Sequence, residues 1–505
     1  MRHTFICVLI SRFALLPGVI IVISLLLLGC EVKQRPLAPV KAFACAQGFG
    51  AYSTGGRGGD VYHVTSLLDN NSTGTLRHAL KSAKGPRTVV FDLGGIIHLK
   101  TRLKIKTNNI TLAGQTAPGG GITLAGYPLD IIKHSDVIIR YIRFRVGDYN
   151  AKDPKDKDKG NGNKGLGGAG GDAIYAENAN RLIIDHISAS WSMDETIDIN
   201  ESKNITLQHS IISEGLYNSF HHKGHHSRGM MLFAGITDHE LANGDGGYTI
   251  YQNLIAHNNM RNPVVGGQMT LNPGQAQKDR KHMHMDFVNN VIYNWGKRSG
   301  HTGRPNTKMN YVNNYLIAGP STKKMNLNTV MREENDDEGD FQIYFTGNYM
   351  DTDKDSTHDG QPVGVEALKN YETGEIVNTA FPFPVINPTL SAEKAYQKIL
   401  QNAGASLPRD LIDKRVINHL KNRLGRLINS QEDVGGLSFI AKGIKPSDRD
   451  QDGIPDSWEI ENGLDSTNPS DRNGIDLSPA GYTNLEVYLD SIVESAGHCL
   501  HNKHD

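Results

Sequence analysis

A short theme recurs along the middle of this chain and limits what it can fold into: a run of β-branched or aromatic residues, an Asn or His, then another short run. It reads Asn109-Ile110-Thr111-Leu112, Asp136-Val137-Ile138-Ile139, Arg181-Leu182-Ile183-Ile184, Asn204-Ile205-Thr206-Leu207, Thr249-Ile250-Tyr251-Gln252-Asn253, Phe287-Val288-Asn289-Asn290, Tyr311-Val312-Asn313-Asn314 and Tyr344-Phe345-Thr346-Gly347-Asn348. Successive copies lie about 23 to 45 residues apart, the short spacings fitting one bare coil and the long ones a coil that carries a loop. With no amphipathic helix between copies, that period specifies an all-β fold, a parallel β-helix solenoid. A β-sandwich has similar short strands but leaves the recurring Asn unexplained. At equivalent turns, Asn side chains can stack their amides into a ladder that satisfies the polar groups where the chain bends. The 54 glycines likewise favour tight turns over long helices.

The flanks read differently. Arg2 and Arg12 precede an apolar run from Phe13 to Leu28, a pattern suited to a secretory signal rather than a membrane span. It ends in Leu27-Leu28-Gly29-Cys30, which resembles the lipobox of bacterial lipoproteins, so residues 1–30 are expected to be a signal whose Cys30 becomes lipidated. Residues 31–41, with Pro36 and Pro39, read as a tether. The solenoid is assigned to 42–390, interrupted at 151–170 by a Lys/Asp-rich and then Gly/Asn-rich exposed loop. Residues 391–440 form a helical segment, with Ala392, Ala395, Tyr396, Ile399 and Leu400 at helical spacing, followed by Leu411, Ile412, Val416, Ile417, Leu420 and Leu424. It is expected to pack on the solenoid or cap one end. Residues 441–505 make a C-terminal extension. Setting aside Cys7 and Cys30, only Cys45 and Cys499 remain, and in an oxidising compartment they either pair or stay as two thiols.

Charge restricts the partners. Lys+Arg 53 against Asp+Glu 54 gives a net charge of -1, so no nucleic-acid footprint exists and any site for a charged substrate must be local. Asp172 opens one strand, and Asp194 and Asp198 follow a coil later at an even spacing that places both on one strand face, with Glu195 expected to point away. Stacked coils would set Asp172 beside them, where a hard cation with oxygen ligands, Ca²⁺, would relieve the repulsion. Three solvated turn acids are the alternative. A second signal is Asp448 to Glu459, with acids Asp448, Asp450, Asp452, Asp456 and Glu459 at positions 1, 3, 5, 9 and 12 and Gly453 at 6, the pattern of a calcium loop. Pro455 in its eighth place suits a single structural site. His221, His222, His225 and His226 could ligate a transition metal, but in a Gly-containing turn they suit a surface or substrate-facing role better.

Several ordered stretches resemble pectate lyases, family 1 of the polysaccharide lyases, over nearly all of the mature chain. They are Ala42-Phe43, Gln47 to Tyr52, Thr54 to Gly59, Asp185-His186-Ile187-Ser188 through Asp198, His222-Lys223-Gly224 through Gly229, Arg261-Asn262-Pro263 and Asn289 to Trp295. The resemblance implies a right-handed parallel β-helix that cleaves pectate, a polyuronate, by Ca²⁺-assisted β-elimination. It implies Asp172, Asp194 and Asp198 as ligands of a catalytic Ca²⁺, Lys223 as the contact to the substrate carboxylate, and Arg261 as the base for the C5 proton. An arginine base conflicts with a pKa above about 12 and calls for an alkaline optimum; a histidine base would bring a lower one. Where the family often carries a second substrate arginine this chain has Gly266, and Arg228, Arg304 and His222 are the candidates to bind substrate in its place. The expected product is a secreted, lipid-anchored monomer that touches membrane only through its lipid. Two rival readings are a β-helix polysaccharide hydrolase, which needs only paired acids, and a calcium-stabilised glycan-binding surface protein.

Overall fold

The computed structural model describes residues 39–495 and 497, apart from 153–165, 168, 169, 269, 303–305, 334–340 and 370–373. The expected signal, Cys30, Arg304, Cys499 and most of the 151–170 insertion lie outside the described residues; of that insertion, Ala151 and Leu166 form a buried parallel bridge.

The chain winds as a parallel β-helix of three sheets, with 11, 9 and 10 strands among the described residues. Each coil visits the sheets in turn: Asn180–Asp185, Ser188–Ser190 and Glu195–Asn200 make one circuit, and Lys203–Gln208, Ile211–Ser213 and Arg228–Phe233 the next. Among the described residues the strand pairings are parallel except where Tyr349–Asp351 meets Gln361–Pro362. Alternation along each strand sends every second residue inward, and the register stacks these residues on their equivalents. In the nine-stranded sheet Leu129, Ile174, Ile197 and Met230 fall on one line and are completely buried. Burial of each such side chain is worth about 1.5–3 kcal/mol, so the stack is the main cohesive element of the solenoid.

Asn closes the bends as the sequence suggests. The backbone N–H of Asn253 donates to Asn290 Oδ1 at 3.0 Å, that of Asn290 to Asn314 Oδ1 at 2.9 Å, and that of Asn314 to Asn348 Oδ1 at 2.9 Å. The residue before each rung holds positive φ, Gln252 at 53°, Asn289 at 57°, Asn313 at 53° and Gly347 at 66°. Asn tolerates that left-handed conformation better than most side chains, which accounts for the Asn-Asn pairs.

The helical segment lies along the flank of the ten-stranded sheet. Helices Ala392–Asn402 and Leu411–Asn422 are capped by Ser391 and Asp410, whose side chains accept from the Lys394 and Asp413 N–H groups. Tyr396, Ile399, Val416 and Leu420 pack on Ile211, Leu254, Tyr293 and Tyr315. The C-terminal helix Asn484–Ser495 packs Leu485 and Leu489 against Ala113 and Ile454, beside the first coils. Cys45 is disulfide-bonded. Among the described residues no helix is long and apolar enough to cross a membrane.

Candidate active site

The acidic cluster sits on the outer face of the nine-stranded sheet. Tyr175 and Asp198 are paired across neighbouring strands and point outward, opposite the buried line of Ile174 and Ile197. Asp172 precedes the strand Ile174–Glu177, and one of its oxygens accepts the Glu195 N–H at 3.1 Å. Glu195 is the departure from expectation. It does not turn away: one oxygen each from Asp172, Glu195 and Asp198 lies within 4.8 Å of the others, and all three residues are buried. At the start of its strand Glu195 escapes strict alternation, and two guanidinium groups draw it outward. Arg261 Nη1 donates to Glu195 Oε1, and Arg228 Nη1 lies 3.8 Å from the same oxygen.

Asp194 lies beside this trio but is held by other partners. Its Oδ1 is 2.7 Å from His226 Nε2 and 3.5 Å from His221 Nε2, and its Oδ2 accepts the Gly170 N–H at 3.0 Å. Burial opposes its charge, yet the bonds to His221 and His226 outweigh it and hold the Asp194 carboxyl well below the usual range. The other two acids go the opposite way. Burial first, and the Asp194 charge second, push Asp172 up to about 8 despite Arg102. Burial and then the charges of Asp172 and Asp194 push Asp198 well above its ordinary value. Asp172, Glu195 and Asp198, crowded in this way with oxygen as their only donor atom, fit a hard divalent cation, which would remove the repulsion that raises the Asp172 and Asp198 pKa values.

Cations face the acids from the following coils. Arg228 opens the strand Arg228–Phe233 and is paired in register with Glu195. Arg261 precedes Val264–Gly266. His301, on the next strand, is buried; burial and the charges of Arg298, Arg261 and Arg228 lower its pKa to about 3, so it stays neutral. Sequence reasoning passed over His301, Lys297 and Arg298, because only coil stacking brings them to this face. Lys223 is exposed in the His-rich turn, its N–H bonded to the Nδ1 of the same His221 that borders Asp194, and His222 beside it is exposed too. Tyr217 stacks on His225 at 4.6 Å and borders a cleft of about 400 Å³ that Asn259 also lines. Gly266 contributes no side chain, as its sequence position indicated.

At the C-terminal loop, Asp448, Asp450 and Asp452 come together, as do Asp452 and Glu459. Asp456 does not join them. Its carboxylate accepts from Ser447 Oγ and from the Arg449 N–H, both at 2.7 Å, because it starts the helix Asp456–Asn462 and faces solvent.

No protein-family model matches the chain. The probable pectate lyase C of Aspergillus flavus is 35% identical over 476 residues, covering 93% of this chain and 98% of its own. That of Neosartorya fischeri is 36% identical over 479 residues, covering 94% and 99%. Among solved structures the cedar pollen allergen jun a 1 is similar at a TM-score of 0.48 and 19% identity, covering 71% of this chain and 92% of its own. Identity at this level along almost the whole length of both chains makes this protein a member of the pectate lyase family.

Proposed function

We propose that the chain cleaves α-1,4-linked polygalacturonate by calcium-assisted β-elimination, leaving a 4,5-unsaturated uronate at the new non-reducing end. One observation carries this reading: three buried carboxylates, Asp172, Glu195 and Asp198, converge on an outer sheet face and are met there by Arg228 and Arg261. Asp172 and Asp198 would hold Ca²⁺, with a Glu195 oxygen and the Asp194 charge close by; the ion would supply charge neutralisation at the uronate carboxylate and so acidify the adjacent proton. Arg261 takes the C5 proton. The C4–O4 bond then breaks, its electron pair leaves with O4, which takes a proton from water, and the C5–H pair becomes the C4=C5 double bond. Glu195 orients the Arg261 guanidinium toward that proton. Arginine keeps its proton up to a pKa above about 12, so activity is expected to need alkaline pH. Arg228 rather than Lys223 meets the substrate carboxylate, since Arg228 stands beside Arg261 and Lys223 lies out on the turn.

Export accompanies this reading. The charged and apolar N-terminus and the disulfide on Cys45 support secretion, and Gly29-Cys30 supports a lipid tether.

The test follows ultraviolet absorbance of polygalacturonate with the mature protein, in Ca²⁺ and in chelator. A calcium-dependent rise is expected; new reducing ends without absorbance would instead mean hydrolysis. Arg261→Ala should lower kcat by about 10²–10⁴-fold, the usual contribution of a positioned base. Arg228→Ala should lower kcat/KM by roughly ten- to a hundredfold, the value of one hydrogen bond to a charged group. Lys223→Ala should leave turnover near that of the parent, and the reverse order of effects would restore Lys223 to the site.

A further inference from the structure

We infer that the C-terminal segment builds a composite calcium site from Asp448, Asp450, Asp452, Glu459 and Asp471, and that this site clasps the closing helix to the first coils. Asp471 lies outside the twelve-residue loop and takes the place there that Asp456 leaves open.

The loop itself is shaped for a cation. Gly453 holds φ +92°, a left-handed conformation that makes the sharp turn at the sixth position. Asp448 accepts the Asp452 and Gly453 N–H groups at 3.2 and 3.3 Å, and Asp452 Oδ1 accepts the Ile454 N–H at 2.8 Å. These bonds wrap the backbone around the acids. Oxygens of Asp448, Asp450 and Asp452 lie within 4.8 Å of one another, as do those of Asp452, Glu459 and Asp471. The two groups share Asp452, so they form one cage.

The orphaned oxygens make this cage a site. Both oxygens of Asp450, both of Glu459, Asp452 Oδ2 and Asp471 Oδ1 are buried with no hydrogen-bond partner. Glu459 is 0% exposed and Asp452 1%. Leaving desolvated carboxylates of like charge unpartnered costs several kcal/mol each by general estimate, so burial of this kind fits a cation-binding role. With only oxygen donors and this many carboxylates, Ca²⁺ fits; Mg²⁺ usually takes one or two carboxylates and keeps its waters, and Zn²⁺ favours nitrogen and sulfur.

Asp471 links the cage to the rest of the fold. Its Oδ2 accepts the Asp465 N–H at 2.9 Å, and its carbonyl accepts Asn484 Nδ2 at 2.8 Å. Asn484 begins the closing helix, whose Asp490 receives Arg140 Nη1 at 2.8 Å. On the other side, Asp448 lies 3.6 Å from His63 Nε2 in the first strand. An ion in the cage therefore holds the loop, the 471 turn and the start of the closing helix as one body against the solenoid's first coils.

The experiment compares the full mature chain with Asp471→Asn and Asp456→Asn, each stripped with chelator and titrated with CaCl₂ by calorimetry, with thermal melting followed in parallel. To separate this site from the catalytic one, all three carry Asp172→Asn and Asp198→Asn, so remaining calcium binding reports the clasp whether or not the lyase reading holds. Without the Asp471 change, the chain should bind one Ca²⁺ and melt higher with it. Asp456→Asn should behave the same. Asp471→Asn should weaken binding roughly tenfold or more, since affinity in such sites follows ligand charge count, and lose most of the calcium-dependent rise in Tm. Equal affinity and equal Tm response in Asp471→Asn, or loss of the site in Asp456→Asn, would overturn the assignment. If Asp471→Asn does not fold, Asp471→Glu replaces it: the longer side chain should also weaken binding, and unchanged affinity would count against the site.

Discussion

Asp286 shows how much a single buried acid can govern. It is 4% exposed, and Asn310 Nδ2 donates to its Oδ1 at 2.8 Å. Burial pushes its carboxyl up to about 7, with the Asn310 bond offsetting only part of the effect. In the unfolded chain the same group titrates near 3.9, so between these values the native state binds more protons. The stability it contributes is complete below about pH 4 and is lost as pH rises through about 7. Asp286→Asn keeps the shape and removes the titration, so the variant should gain Tm relative to the parent as pH is raised from 4 to 8; a difference that is the same at both ends would refute the account. Nothing in Met283–Val288 marks this acid as buried, because sequence alternation does not tell what covers an outward position. Arg228 and Lys223 teach the same lesson. Resemblance favours the lysine, whereas the register that pairs Arg228 with Glu195 depends on how the intervening His-rich turn folds.

At the scale of elements, buried charge fastens the start of the second flank helix. Arg145 Nη2 donates to Asp413 Oδ1 at 2.7 Å, Ser188 Oγ donates to Asp413 Oδ2 at 2.6 Å, and Arg143 Nε lies 3.6 Å from Asp410 Oδ2. Arg143, Arg145 and Asp413 are all at most 1% exposed. Removing Asp413 leaves Arg143 and Arg145 to share Asp410, an excess cation in a medium that cannot solvate it, so Asp413→Ala should cost about 3–5 kcal/mol in denaturant unfolding. Replacing the pair with apolar residues, Arg145→Met with Asp413→Leu, should recover most of that loss. If Asp413→Ala were neutral, the apolar packing of Tyr396, Ile399, Val416 and Leu420, with the Arg415–Glu214 pair, would carry the attachment. The helices were legible from the spacing of Ala392, Ala395, Tyr396 and Ile399, and the solenoid from its Asn-marked period. The flank they occupy was not, since outward arginines in Ile142–Arg145 read as solvated until a helix is seen to cover them.

Over the whole molecule, the net charge of -1 conceals a gradient along one sheet. Register places Asp130, Tyr175, Asp198, Met231, Val264, His301, Arg332 and Lys369 on successive strands of the same column. Asp130 and Asp198 lie toward the early coils and Arg332 and Lys369 toward the late ones, with Arg228, Arg261, Lys297 and Arg298 alongside; burial first, and then the charges of those four, lower the pKa of His301. A polyanionic chain laid along this column meets attraction over the late coils, while Asp172, Asp194 and Asp198 repel it unless a cation is bound there. Such attraction acts within a screening length, which shrinks from about 30 Å to about 10 Å as ionic strength rises from about 0.01 to 0.1 M. KM for polygalacturonate at fixed saturating Ca²⁺ should therefore rise over that range while kcat holds, because steering affects capture and not the bond-breaking step. Lys297→Ala with Arg298→Ala should start from a higher KM and respond less to salt. A KM that ignores salt in the parent would mean that the late-coil cations are engaged within the protein, and that substrate is captured by the calcium and Arg228 alone.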